Sequence, residues 1–383
     1  MSLTGAQGAE GTGIAAIANS ASTQEPPAPP DRQLPDLPLP QVVKKKIGWA
    51  VVGLGQLSLE EILPAFGHSQ FSEVTALVSG HPDKAKDVAA AYGVPESNIF
   101  DYQNFSKLAE CKEVDAVYIV LPNSMHAEFT IKALQAGKHV LCEKPMASTV
   151  EECTEMIAAA EDADRKLMIA YRLHYEPLNL KVMEICRDKE FGQLRLFTSS
   201  NCQKVDVPNI RLSAKLAGGP VGDVGIYSIN AARYVIGEEP VQIYAVAHQP
   251  KSDPRFKEVP ETVAFTMTYP SGVIAQCICS FGTSESRRYD AVFDGGVITM
   301  DPAFSYRGLN LSISRPGKKG QTIEKADLWI PQISQFAAEM DHFSTCILDD
   351  KEPRTPGSLG LADMKIVQAI HDSIRSGNPV RVA

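Results

Sequence analysis

The chain has 383 residues, 44% apolar and 22% charged, and its 37 lysines and arginines against 46 acidic residues leave a formal charge of −9. That length exceeds what one hydrophobic core ordinarily supports, so two domains are expected, and the acidic balance disfavours a nucleic-acid or anionic-membrane partner, either of which needs a basic face. No stretch approaches the roughly twenty apolar residues of a membrane-spanning helix, so the chain reads as a soluble protein.

Residues 1–22 are rich in Gly, Ala and Ser, and Glu25 to Pro40 carries seven prolines, which favour extended geometry and deny backbone donors to a sheet. Residues 1–40 therefore form a proline-rich arm ahead of the core, and composition alone makes it a disordered tail. Gly13 to Ala21, ending in small side chains, is compatible with the remnant of a trimmed export signal, which points to a periplasmic or otherwise exported protein; the alternative is a cytoplasmic one. The eight cysteines are scattered without a Cys-x-x-Cys pair. Neither zinc spacing nor a disulfide framework is visible, no metal is expected, and the thiols do not decide the compartment.

The core begins with the apolar strand Ile47–Val52, which runs into Gly53-Leu54-Gly55 and a helical pattern from Leu59 to Phe66. A strand, a tight turn and a helix start make an anion site suited to a pyrophosphate. The third glycine or alanine of the usual fingerprint is Ser58, and the two glycines taken alone are equally well structural. Val74–Val78 reads as the second strand and Pro82–Tyr92 as a helix with alanines on its buried side. Where an enzyme preferring NAD places an acidic side chain, this strand ends in Ser79-Gly80-His81, with Lys84 one turn into the helix. A hydroxyl, an exposed amide and a cation suit a 2′-phosphate, so NADP is favoured over NAD. Asp115–Leu121 is a continuous apolar run, as in a central parallel strand covered on both faces. Ser124–Ala136 is a helix stopped by Gly137, and Lys138–Cys142 is the next strand. This alternation predicts a doubly wound parallel sheet, a Rossmann domain over 41–170. Glu143-Lys144-Pro145 then puts a carboxylate and an ammonium directly after a buried strand.

Past helices at Val150–Ala163 and Glu176–Arg187 the pattern changes. Leu194–Ser200, Val241–Ala247, Val263–Tyr269, Val273–Phe281, Tyr289–Phe293 and Val297–Met300 are β-rich, with short turns such as Asp294-Gly295-Gly296. They predict a largely antiparallel open sheet with one covered face. Two helices, Gln332–Leu348 and Leu359–Ser376, close an α+β domain over 171–383 that is expected to bind substrate and mediate subunit contact.

Gly53-Leu54-Gly55, Leu121-Pro122-Asn123-Ser124-Met125-His126-Ala127-Glu128, Ala136-Gly137-Lys138-His139-Val140 and Glu143-Lys144-Pro145 together resemble the family of glucose-fructose oxidoreductase, inositol dehydrogenase and the rhizopine-catabolism protein. Ala170-Tyr171-Arg172-Leu173-His174-Tyr175-Glu176-Pro177 and Asp223-Val224-Gly225-Ile226-Tyr227 resemble the glucose-fructose oxidoreductase branch more than the inositol branch. The resemblance implies an NADP-dependent oxidoreductase moving hydride between nicotinamide C4 and an aldose C1, with the cofactor tightly bound. It implies Tyr227 as general acid/base, Lys144 as its partner and a substrate contact, and Asp223 as a ligand of a sugar hydroxyl. A tyrosine, with an ordinary pKa near ~10, is a poor base at neutral pH unless a cation stabilises its anion, and an ammonium does that. On a helix Asp223 and Tyr227, four apart, share a face, and Gly218, Gly219 and Gly222 would let the backbone approach a sugar closely.

Around the cofactor the resemblance implies Gly53, Gly55, Gln56 and Leu57 in the turn, Ser79 and Lys84 after the second strand, and Leu121, Asn123, His126, Glu143, Lys144 and Arg172 further on. Asn123 and His126 are placed near the nicotinamide ribose, with helix capping as the alternative for His126. Of His174 and Tyr175, one lines the sugar pocket and the other packs. A cis peptide is implied before Pro145. In this family a proline-rich arm lies across the cofactor of a neighbouring subunit, which implies a homo-oligomer, dimer or tetramer.

Two departures fall on the sugar side: the loop Ala217-Gly218-Gly219-Pro220 has one glycine fewer than the family shows, and Ile210 stands where a tryptophan is expected before Arg211. They leave the identity of the sugar less determined than the redox chemistry. Taken singly, each key residue also has a plain structural reading: Lys144 pairing with Glu143, Asp223 capping a helix, Tyr227 as a core aromatic. Three functional readings follow. They are an enzyme that keeps its NADP while oxidising one sugar and reducing another, an ordinary NADP-dependent aldose dehydrogenase, and a non-catalytic NADP-binding regulator on the same fold.

Overall fold

The computed structural model describes residues 45–317 and 324–382. The arm expected at 1–40 lies outside the described residues, and so does its implied reach to a neighbouring cofactor. Six parallel strands, β1 Ile47–Val52, β2 Ser72–Val78, β3 Ile99–Phe100, β4 Ala116–Ile119, β5 His139–Glu143 and β6 Leu167–Ala170, form one sheet in the order β3-β2-β1-β4-β5-β6. The order reverses between β1 and β4, which opens a crevice outside the carboxyl ends of these strands.

Alternate residues of β1 serve opposite faces of the sheet. Ala50 and Val52 pack with Phe129, Leu134 and Met156 of helices His126–Gln135 and Val150–Asp162, while Trp49 and Val51 pack with Phe336, Met340 and Phe343 of helix Gln335–Leu348. That late helix is pinned as well as packed: Trp49 Nε1 donates to Ser344 Oγ at 3.2 Å, and Asp341 accepts from the amides of Gln70 and Phe71 at 2.8 and 2.9 Å. The helix expected at Leu59–Phe66 runs from Ser58 to His68 in three windings, π over Ser58–Ile62, α over Leu63–Ala65 and 3-10 over Phe66–His68. Pro64 has no N–H to donate, so a regular α ladder cannot run through it.

The second sheet has nine strands: β7 Leu194–Lys204, β8 Gln242–His248, β9 Thr262–Thr268, β10 Ile274–Ser280, β11 Gly282–Phe293, β12 Gly296–Met300, β13 Leu311–Arg315, β14 Glu324–Leu328 and β15 Val380–Arg381, in the order β14-β13-β12-β11-β7-β10-β9-β8-β15. β7 and β10 run parallel and the other neighbours antiparallel. Parallel neighbours need a crossover, and here the connection carries helix Ile226–Ile236. Phe197, Phe265, Ala275 and Cys277 are buried with that helix and with helices Pro177–Arg187 and Gly357–Ser376. On the opposite face Leu196, Tyr244, Val246, Ile274 and Ile278 are exposed. Among the described residues no helix is long and apolar enough to cross a membrane.

Candidate active site

Gly53, directly after β1, has φ of +95°, and a Cβ there would stand 2.3 Å from Val120 O. Close approach to the end of β4 therefore demands glycine. Gly55 is different, because nothing lies within 4 Å of where its Cβ would be. The space before the first helical amides is open, which is what a bound pyrophosphate needs. Ser58 is buried and donates its hydroxyl to Gly53 O at 2.5 Å, closing the turn from inside. Leu57 stands at the N-cap position before the helix, and exposed Gln56 donates to Glu60. After β2, the buried Ser79 accepts from the His81 amide at 3.1 Å, and Lys84 Nζ donates to Leu54 O at 3.3 Å, which brings its charge to the glycine turn. The open space at Gly55 and the hydroxyl and cation of Ser79 and Lys84 fit the pyrophosphate and 2′-phosphate of NADP.

The ends of β4 and β5 are braced from below. Leu121 stands against Gly53, and Asn123 Nδ2 donates to Ala217 O at 2.9 Å, tying this loop to the one beyond the second domain's first strand. His126 is fully buried, with its ring nitrogens 2.8 Å from Pro145 O and 2.9 Å from Leu121 O. It clamps the two loops together and does not reach into the crevice as a ribose contact; burial pushes its pKa down. Cys142, one residue before Glu143, is buried in the sheet, and burial pushes its thiol up.

Glu143 is buried too, accepting from Tyr118 Oη at 3.0 Å and from the Lys144 amide at 3.2 Å. Tyr118 Oη also stands 3.5 Å from Glu339 of helix Gln335–Leu348. A phenol has one hydrogen, so two buried carboxyl groups share a single donor. Burial pushes both up; the charge of Glu143 adds to this at Glu339, whereas Lys144 offsets it at Glu143. A carboxyl raised in this way takes up a proton on folding. Its stabilising contribution is present below the ordinary carboxylate range and is lost as pH rises toward its folded-state value. Glu339→Gln removes that dependence. Its melting temperature relative to the wild type is therefore expected to increase between about pH 5 and about pH 8, and a pH-independent difference would mean that Glu339 is ionised in the fold.

Lys144 projects from the end of β5 into the cluster that matters most. Its Nζ donates to Asp223 O at 2.7 Å, stands 3.4 Å from Asp223 Oδ1 and lies 4.6 Å from the centre of the Tyr227 ring. Asp223 and Tyr227 come from a π winding, Val221–Gly225, that runs into helix Ile226–Ile236, a local irregularity often found at functional sites. Asp223 Oδ2 accepts from Arg211 Nε at 2.7 Å and from Gln203 at 3.2 Å. Burial works against the charge on Asp223, but Lys144 and Arg211 outweigh it and hold the carboxyl below its usual range. Burial likewise opposes Lys144, and Tyr227, Asp223 and Glu143 hold its ammonium above the ordinary lysine value. Of the glycines expected to admit a sugar, Gly218 is spent elsewhere: its Cβ would meet Arg211 O at 2.4 Å.

Arg172, implied as a cofactor contact, is buried. Its guanidinium lies between two phenol rings, 5.1 Å from that of Tyr227 and 4.5 Å from that of Tyr306, while it donates to Phe304 O, Ser305 O and Gln335. His174 and Tyr175 do not join the cluster. His174 faces Asn230 Oδ1 at 2.7 Å on the buried side of helix Ile226–Ile236, where burial pushes it down to about 4. Tyr175 is buried with its hydroxyl on Thr355 at 3.0 Å. Neither is free to line a sugar pocket. The residues that sequence reasoning passed over are Arg211 and Gln203, which anchor Asp223, the pair Tyr118 and Glu339, and Tyr306. Arg211 was marked only by the missing tryptophan before it, and no local motif marks the others.

Residues 47–171 match the NAD-binding Rossmann fold of an oxidoreductase family, and residues 179–299 match the GFO/IDH/MocA C-terminal domain. The D-xylose 1-dehydrogenase (NADP(+)) of Haloarcula marismortui is 31% identical over 88% of this chain and 93% of its own. Among solved structures, the aldose-aldose oxidoreductase from Caulobacter crescentus complexed with glycerol is 39% identical and superposes with a TM-score of 0.84 over 88% of this chain and 100% of that one. A 3-ketoreductase from Actinomadura kijaniata, in complex with NADP and TDP-benzene, is 26% identical, with a TM-score of 0.75 over 86% and 98%.

Proposed function

The chain belongs to the GFO/IDH/MocA oxidoreductase family, and we propose that it is an NADP-dependent sugar oxidoreductase that oxidises an aldose at C1 with Tyr227 as general acid/base. The observation that carries this reading is the Lys144 ammonium, set 4.6 Å over the Tyr227 ring and bonded to Asp223 at the mouth of the crevice. Gly55, Ser79 and Lys84 would hold the dinucleotide. When bound, NADP supplies the hydride acceptor. Tyr227 in its anionic form takes the proton from the anomeric hydroxyl and becomes the neutral phenol, and the charge of Lys144 over its ring favours the anion from which the step begins. Asp223, bonded to Lys144, Arg211 and Gln203, sets the direction of both cations and turns its remaining acceptor capacity toward a sugar hydroxyl.

Two forms of this activity differ in whether the cofactor leaves. Likeness to an enzyme whose name couples two aldoses favours retained NADP, reduced by one sugar and reoxidised by another. A non-catalytic regulator is disfavoured, because ligand binding alone does not call for a lysine held against a phenol. The exposed apolar face of the nine-stranded sheet, with Tyr244, Val246, Ile274 and Ile278, is read as the contact between copies in a homo-oligomer. The test is to purify the full chain, dialyse it and add an aldose without cofactor. Retained NADP is expected to appear as NADPH, and sedimentation is expected to give more than the monomer mass. Loss of cofactor on dialysis leaves the ordinary dehydrogenase, a monomer removes the subunit contact, and no oxidation with added NADP sinks the function.

A further inference from the structure

A second phenol enters the site on the segment between β12 and β13, and nothing in the reaction just described uses it. This segment is held from behind by buried donors. Phe304 O at 2.7 Å and Ser305 O at 3.1 Å accept from Arg172, and Tyr306 O at 2.9 Å accepts from Gln335 Nε2. The next residue, Arg307, pairs with Glu61 through bonds of 3.0 and 2.9 Å, and Phe304 packs on Tyr227 with ring centres 5.9 Å apart. Three successive backbone carbonyls held by Arg172 and Gln335, with Phe304 packed on one side and Arg307 paired on the other, fix where the Tyr306 side chain points.

That direction is into the cluster. The Tyr306 ring lies 4.5 Å from the Arg172 guanidinium and edge-on to Phe336 at 5.4 Å, and its hydroxyl feels the charges of Tyr227, Arg172, Lys144 and Glu143, as Arg211 in turn feels Tyr306. The residue is nevertheless 39% exposed, and its hydroxyl has no hydrogen-bond partner among the described residues. A rigid, part-exposed tyrosine beside the base, with no protein group bonded to its hydroxyl, is equipped to meet a ligand.

Resting on the aldose reading above, we propose that Tyr306 is a sugar-contacting, specificity-determining residue whose hydroxyl donates to an aldose hydroxyl other than the one that Tyr227 deprotonates. Burial, followed by the neighbouring Tyr227, pushes Tyr306 up to about 12, so it stays a neutral donor at working pH. The two phenols divide the work: one exchanges a proton and the other recognises a hydroxyl. A site built to bond a hydroxyl rejects the analogue that lacks it far better than an apolar wall can.

Tyr306→Phe keeps the ring on Arg172 and Phe336 and removes one oxygen, so the fold is retained. The full-length protein is assayed with NADP on glucose, xylose and their monodeoxy analogues, and NADPH affinity is measured by fluorescence titration. For the parent aldoses kcat/KM is expected to fall about tenfold, and for the analogue missing the partner hydroxyl wild type and variant are expected to converge, with NADPH affinity within about twofold. Unchanged kcat/KM on every sugar overturns the proposal. So does an equal fall on every sugar and analogue, which would make Tyr306 a general support, and so does a loss confined to NADPH affinity. A wild-type protein that oxidises none of the sugars removes the aldose reading itself, and that result is seen before the variant is compared.

Discussion

Tyr227→Phe is expected to lower aldose oxidation by a factor on the order of 10² to 10³ with NADP affinity unchanged, the usual scale for a lost general acid/base. The substitution deletes the phenol oxygen alone. The ring keeps its place between Lys144 at 4.6 Å and Arg172 at 5.1 Å, because both cations address its face. No neighbour can take over the proton. Asp223 is held below the usual carboxylate range by Lys144 and Arg211, which makes it a weak base, and Tyr306 is pushed up to about 12. Steady-state kcat/KM together with an NADPH titration checks the outcome. Near-normal turnover would place the base on another residue.

What could be read from the sequence depended on whether the signal was local. Helix Pro82–Tyr92 has the expected limits because its ends are written in the chain, with proline at the first position and Gly93 in the left-handed conformation after the last. β3 and β15 contain two residues each, too few to show a period, and were not expected. The same distinction runs through the site. Gly53, Gly55 and Lys144 sit at strand ends, where a run of apolar residues meets a turn, and they are visible there. His174 and Tyr175 also follow a strand, but their directions are set by Asn230, 56 residues on, and by Thr355, 180 residues on. Arg172 was legible as a site residue, but not what it does, since its partners Phe304, Ser305 and Gln335 arrive from the far end of the chain. Tyr306 and Glu339 have no local mark. Only the fold brings a phenol and a carboxyl from the last third of the sequence to the ends of β5 and β6.

Lys144→Met is expected to lose at least as much activity as Tyr227→Phe, on the order of 10³ in kcat/KM, because one side chain serves two neighbours. Without the ammonium, an anion on Tyr227 loses the cation over its ring, and Asp223 keeps only Arg211 and Gln203. The second loss acts on the fold as well. Removing a charged donor from a partly buried carboxylate is worth about 2 kcal/mol, softened here because Arg211 remains, so a lower melting temperature should accompany the lost activity. The double variant separates the two roles implied for Lys144. If it acts through Tyr227, then in the Tyr227→Phe background there is no anion left to stabilise, and Lys144→Met should cost little further activity. If the two losses multiply, Lys144 makes its contribution on the sugar directly, and the electrostatic pairing of lysine with phenol is not what drives the proton transfer.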